Sequence, residues 1–251
     1  MILLVDTGNT RLKWALASPH ALGPVSALPL DDALPEALAL AWRDARAAAV
    51  WIASVASAER TARIVESARR AFPDASIETP LSPRAALGVT NAYAEPERLG
   101  IDRFLALAAA RARGDSPALT VSLGTALAID ALAREGVHLG GMIAPAPDAM
   151  RAAVLGATAR VAWREVPLPH DFGTSTEAGL QAGTWHAAAA LVERAAALLE
   201  ARCGERPRVL VAGGGGHALS ALLGIAHEST PALVLEGLAL MARAGGDARV
   251  R

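Results

Sequence analysis

Ile2-Leu3-Leu4-Val5-Asp6-Thr7-Gly8-Asn9-Thr10 and Ala118-Leu119-Thr120-Val121-Ser122-Leu123-Gly124-Thr125-Ala126 share one pattern. Each is a short aliphatic run that meets a small polar or acidic residue and then a glycine turn. The first continues into alternating Leu12, Trp14 and Leu16, the second into a strand-like stretch through Asp130. Such a pattern reads as strand, tight turn, strand. Setting residue n against n+116 pairs Val5 with Val121, Asp6 with Ser122, Gly8 with Gly124 and Asn9 with Thr125. The chain therefore reads as a diverged tandem duplication. Strand-rich starts and helical finishes in both halves predict two similar α/β domains, 1–116 and 117–251, with a boundary near Asp115 to Ala118 and a cleft between them.

Around these turns, helix-forming composition predicts helices over 31–46, 59–71, 99–113, 176–200 and 231–244, and apolar runs predict strands over 49–55, 137–143 and 208–212. Thr79 to Pro96, with three prolines, Gly88 and the only tyrosine, reads as an irregular surface loop. Hydrophobic residues make up 53% of the 251 residues, but 60 of these are alanine, so the figure reflects small side chains more than greasy surface. No apolar run approaches the ~18 residues of a membrane span, and no basic flank precedes Ile2, which predicts a soluble protein. With 24 Lys+Arg against 25 Asp+Glu, no cationic field favours nucleic acid or anionic lipid. The lone Cys203 excludes an internal disulfide and a cysteine zinc site, and fits a cytoplasmic protein. Lys13 is the only lysine among the basic residues, and it stands beside the first turn.

Three glycine elements and one acid carry chemistry. In Asp6-Thr7-Gly8-Asn9-Thr10 the glycine lets backbone amides converge on a phosphate, Asp6 can hold Mg²⁺ through water, and Lys13 can reach a β or γ phosphate. An ordinary hairpin has the same local sequence, but its recurrence at Ser122 to Ala126 is what a nucleotide gripped by two related domains requires. Gly213-Gly214-Gly215-Gly216 follows an apolar strand, and its bare backbone can lie against adenine or ribose. Gly100-Ile101-Asp102-Arg103 opens a helix too apolar to be exposed. A carboxylate there can accept a hydroxyl proton during attack on phosphorus, and the adjacent guanidinium can steady a phosphate or an acidic substrate. No G-x-G-x-x-G, Walker A, G-x-S-x-G or paired-histidine ligand pattern occurs, which disfavours dinucleotide, P-loop, hydrolase and transition-metal chemistry.

Taken together, Asp6 to Thr10, Tyr93 before Gly100-x-Asp102-Arg103, Gly124-Thr125-Ala126 with Asp130, Gly140-Gly141-x-Ile143-x-Pro145 and Thr176 through Gly183 resemble the type III pantothenate kinases, from residue 2 to about 216. The resemblance implies two tandem ribonuclease-H-like domains of the actin-like ATPase superfamily around an ATP cleft, and a homodimer. It also implies ATP-dependent phosphorylation of pantothenate, the first committed step of coenzyme A synthesis. By resemblance, Asp6, Thr7, Gly8, Asn9, Thr10, Arg11, Leu12 and Lys13 contact ATP phosphates and Mg²⁺, Thr125 and Gly214 touch the nucleotide, and Asp102 is the general base. Tyr93, Gly100, Ile101, Asp102, Arg103 and Thr176 frame pantothenate. The family commonly carries D-x-G-T-A, whose aspartate helps bind a potassium or ammonium ion. This chain has neutral Ser122 there, a weaker candidate ligand, and departs again at Ala128 and Ala146. Two other readings stay open: a catalytically silent scaffold of the same superfamily in a tRNA-modification complex, and a nucleotide-sensing regulator that binds a transcription factor.

Overall fold

A computed structural model describes residues 1–158 and 163–249, which group into two compact units, Met1–Arg113 with Ala232–Arg251, and Gly114–Pro231. In the first unit, β1 (Ile2–Thr7) and β2 (Arg11–Ala17) form the expected hairpin, followed by β3 (Ser26–Pro29), α1 (Leu34–Ala41), β4 (Ala49–Ser54), α2 (Ala58–Ala71) and β5 (Ser76–Glu78). The sheet order is β3-β2-β1-β4-β5, with β1 antiparallel to β2 and parallel to β4. Strand alternation divides its apolar residues between two faces. Leu3, Val5, Leu12, Val50 and Ile52 pack under α1 and α2, while Leu4, Ala15, Ala17 and Ala53 face α3 (Ile101–Ala112). Burial on both faces explains why β1 and β4 read as nearly continuous apolar runs.

The second unit repeats the plan. β8 (Ala118–Leu123) and β9 (Ala126–Leu132) are its hairpin, joined by β10 (His138–Pro145), α4 (Pro147–Ala157), α5 (Thr176–Cys203), β11 (Arg208–Ala212), α6 (Gly216–Ser220) and β12 (Glu228–Ser229). The order β10-β9-β8-β11-β12 matches the first sheet strand for strand. Ser175 caps α5 by accepting the Ala178 N–H at 3.2 Å. Ala188, Val192, Ala195, Ala196 and Leu199 then lie at helical spacing over Leu119, Val121, Leu127 and Ile129.

Three features differ from expectation. The helix expected over 31–46 is confined to α1, because Trp42 is buried against Trp14 and Phe72 and pins the chain where the helix ends. Residues 79–96 are not an irregular surface loop. They hold a small hairpin, β6 (Ala85–Ala86) and β7 (Val89–Thr90), with Ser82, Val89 and Asn91 buried, and lead into a 3-10 turn at Pro96–Arg98. The last helix, α7 (Leu233–Arg249), lies with the first unit, whereas the sequence pattern grouped it with the second half. Its Leu235, Leu238, Ala239 and Ala242 complete the apolar layer that Leu105 of α3 begins.

Candidate functional site

The geometry of the first unit's site follows from register. Leu4 packs beside Leu105, and Asp6 is the next residue of β1 on that face, while Asp102 lies one helical turn before Leu105. Helix-on-strand packing thus brings two carboxylates into one electrostatic neighbourhood. Lys13 is the cross-strand partner of Asp6. Burial raises the Asp6 carboxyl to a pKa of about 7, the Asp102 charge pushes in the same direction, and the Lys13 ammonium opposes both.

Asp102 stands half-buried in the first turn of α3 and accepts the Arg103 N–H at 2.8 Å through Oδ1. A carboxylate is favoured at a helix N-terminus by the positive end of the dipole. A Cβ on Gly100 would lie 2.5 Å from that oxygen, so glycine is what leaves room for the carboxylate. The Arg103 guanidinium donates from Nη1 to the Tyr93 hydroxyl at 3.1 Å and lies 5.8 Å from the centre of that ring. Acid, guanidinium and phenol are therefore assembled in one unit from two segments.

The turn itself closes through Gly8 N–H to Arg11 O at 3.0 Å, leaving Gly8 half-buried and Asn9, Thr10 and Arg11 exposed. Sequence reasoning missed Arg60 at the start of α2, which donates to Asn9 O at 3.3 Å and braces the turn. In so arginine-rich a chain, nothing local distinguished it. Leu12 and Ile101 are core side chains, so any ligand contact they make runs through the main chain. The Thr7 hydroxyl is buried with Oγ1 unpartnered among the described residues.

In the second unit, the β8–β9 turn closes through Gly124 N–H to Ala126 O at 3.0 Å and leaves Thr125 exposed. The glycine loop docks on the end of β8: Gly215 N–H donates to Leu123 O at 3.0 Å. At Gly213, φ is +90° and a Cβ would sit 2.3 Å from Leu123 O, so two constraints demand glycine there. Gly214 faces open space. Thr176 is exposed in the first turn of α5. Ser122 is half-buried, and its cross-strand neighbour is Ala128. Asp130, on the same sheet face by register, is fully buried and engaged with His138 Nε2 at 2.9 Å. Among the described residues, no group of three or more His, Cys, Asp or Glu is placed to hold a metal ion, and no helix is long and apolar enough to cross a membrane.

The family model of type III pantothenate kinase matches residues 2–197. A type III pantothenate kinase from Xylella fastidiosa (strain 9a5c) is 38% identical over 244 residues, spanning 95% of this chain and 96% of its own. Among solved structures, a conserved putative Baf family transcriptional activator from Campylobacter jejuni superposes with a TM-score of 0.62 at 19% identity, covering 98% of this chain and 99% of that one. A putative 2-dehydro-3-deoxygalactonokinase from Sinorhizobium meliloti gives 0.58 at 15% identity, covering 97% and 99%. At such identities the two structures share a fold with this chain.

Proposed function

Since the chain belongs to the type III pantothenate kinase family, we propose that its transfer of a phosphoryl group from ATP to pantothenate uses Asp102 as general base. The fold is that of the actin-like ATPase superfamily, with tandem ribonuclease-H-like units, and the reaction is the ATP-dependent phosphorylation that opens coenzyme A synthesis. The observation that carries the assignment of roles is the placement of Asp102 beside Asp6 and Arg103 in one unit.

The chemistry follows from charge. As the primary hydroxyl of pantothenate attacks the γ-phosphorus, Asp102 accepts its proton, the bond to the bridging oxygen breaks, and ADP leaves. Negative charge on the phosphoryl oxygens is met by the amides of the Gly8 turn and by Lys13. Arg103, oriented by Tyr93, presents a fixed guanidinium to the pantothenate carboxylate. Thr176 is assigned to the same acceptor, and Thr125 and Gly214 to the nucleotide.

Asp6 offers a hard oxygen ligand whose charge is disfavoured by burial and by Asp102, a setting that a divalent cation relieves. Mg²⁺ is commonly held by one or two carboxylates plus substrate phosphates rather than by a protein cage, so the residues fit it. When bound, Mg²⁺ neutralises charge on the β and γ phosphates. The donor set does not fit a monovalent cation in the same way: Ser122 is neutral, and Asp130 is occupied by His138. A homodimer and a cytoplasmic location, as in the family, complete the proposal.

Asp102→Asn tests the central role. Incubation with ATP, Mg²⁺ and pantothenate, with phosphopantothenate as readout, should show turnover reduced about 10²-fold or more, with ATP affinity retained. Near-normal turnover removes Asp102 from the base role.

A further inference from the structure

The segment that carries Tyr93 has an unusual support. At the base of the β6–β7 hairpin, Asn91 N–H donates to Arg84 O at 2.9 Å, so these two residues face each other across the hairpin's open end. Both side chains then turn to the strap that follows. The Arg84 guanidinium donates to Asn91 O at 3.3 Å, to Tyr93 O at 2.6 Å and to Ala94 O. The Asn91 amide, buried to 2% exposure, donates to Pro83 O at 3.3 Å and to Pro96 O at 3.0 Å, while its oxygen accepts the Tyr93 N–H at 3.0 Å. Two side chains thus hold the main chain on both sides of Tyr93 and tie it to the 3-10 turn that delivers Gly100 and Asp102.

We propose that Arg84 and Asn91 are positioning residues for the pantothenate site, fixing the strap so that the Tyr93 hydroxyl meets Arg103. The inference rests on the assignment of Tyr93 and Arg103 to the acceptor. It follows from geometry: a hydroxyl-to-guanidinium hydrogen bond tolerates little displacement, and this strap has no sheet ladder to hold it. Three carbonyls converging on one planar cation suit arginine specifically. Lysine keeps the charge but not the fork. Neither residue reaches the phosphate turn, so the effect falls on one substrate.

Arg84 is exposed, so Arg84→Ala and Arg84→Lys should both fold. Steady-state kinetics on the full-length protein should show the pantothenate KM rising about tenfold in Arg84→Ala, since losing hydrogen bonds to a charged group has effects of that order. Arg84→Lys should fall between it and wild type, with the ATP KM unchanged in both. An unchanged pantothenate KM in Arg84→Ala, or equal rises in both KM values, overturns the positioning role. Tyr93→Phe measured alongside separates the two layers. A raised pantothenate KM in Tyr93→Phe with none in Arg84→Ala sinks only the inference drawn here, whereas no change in either removes Tyr93 from the acceptor site.

Discussion

Replacing Asp6 by asparagine should stabilise the ligand-free protein while removing its activity. The Asp6 carboxyl has a pKa of about 7 in the folded chain, against 3.8 for an ordinary aspartate. The difference between 3.8 and about 7, at about 1.36 kcal/mol per pH unit, sets an upper limit of about 4 kcal/mol for the cost of ionising this group in place. Water reaches part of the side chain, so about half of that, about 2 kcal/mol, is the expected net effect. The folded state binds the proton more tightly than the unfolded state, so Asp6 costs nothing below pH 4. It erodes stability steadily as pH rises from 4 to 7, and its full penalty is present above 7. Asparagine is neutral throughout and nearly isosteric. The advantage of Asp6→Asn should therefore be small at pH 4.5 and reach about 2 kcal/mol at pH 8. At an m-value of about 2 kcal/mol/M, that is a shift of about 1 M in the urea midpoint. Tryptophan fluorescence is a suitable probe because Trp14, Trp42 and Trp51 lie in the same unit. A variant no more stable than wild type at pH 8, or an advantage independent of pH, would refute the picture of a carboxylate held against its own burial and the Asp102 charge.

Other outcomes follow from the second unit. Turnover in sodium buffer should equal turnover in potassium or ammonium buffer, because Ser122 is neutral and Asp130 is engaged by His138. A large potassium stimulation in initial-rate assays contradicts this. Gly213→Ala should destabilise the protein by about 2 kcal/mol or more, since it combines an unfavourable φ with a backbone clash, and thermal melts read this directly. Gly214→Ala meets open space and should leave the melting temperature unchanged while raising the ATP KM if the nucleotide lies against it.

The paired sheets were legible in the sequence because their signal is short-range. Offsetting the chain by 116 aligns β1 with β8 end to end, and the nearly continuous apolar run of each marks a strand buried on both faces. The address of α7 was not legible: an amphipathic helix shows that it has an apolar face, but not which sheet it covers. Arg84 and Asn91 were hidden for a different reason. Arginine is abundant here, and the network needs a hairpin whose strands are two residues each, too short to show a period. The raised pKa of Asp6 likewise depends first on its burial and then on where packing on Leu105 carries Asp102, neither of which a local window contains.

The two related turns differ in the charge they carry. Positions 6 and 122 are equivalent in register, each next to last in the first strand of its hairpin. At the first, Asp6 carries an electrostatic cost, with Lys13 across the strand as partial compensation and Asp102 adding to the repulsion. At the second, the hydroxyl of Ser122 carries no charge to bury, and the glycine loop can pack directly on Leu123 without a counter-ion. A triphosphate is itself strongly anionic, so carboxylates near it are tolerable only where a cation or a transferable proton is part of the chemistry. In the proposed assignment, the first unit has a use for both. In the same assignment, the second unit, offering an exposed threonine and bare backbone, holds rather than reacts.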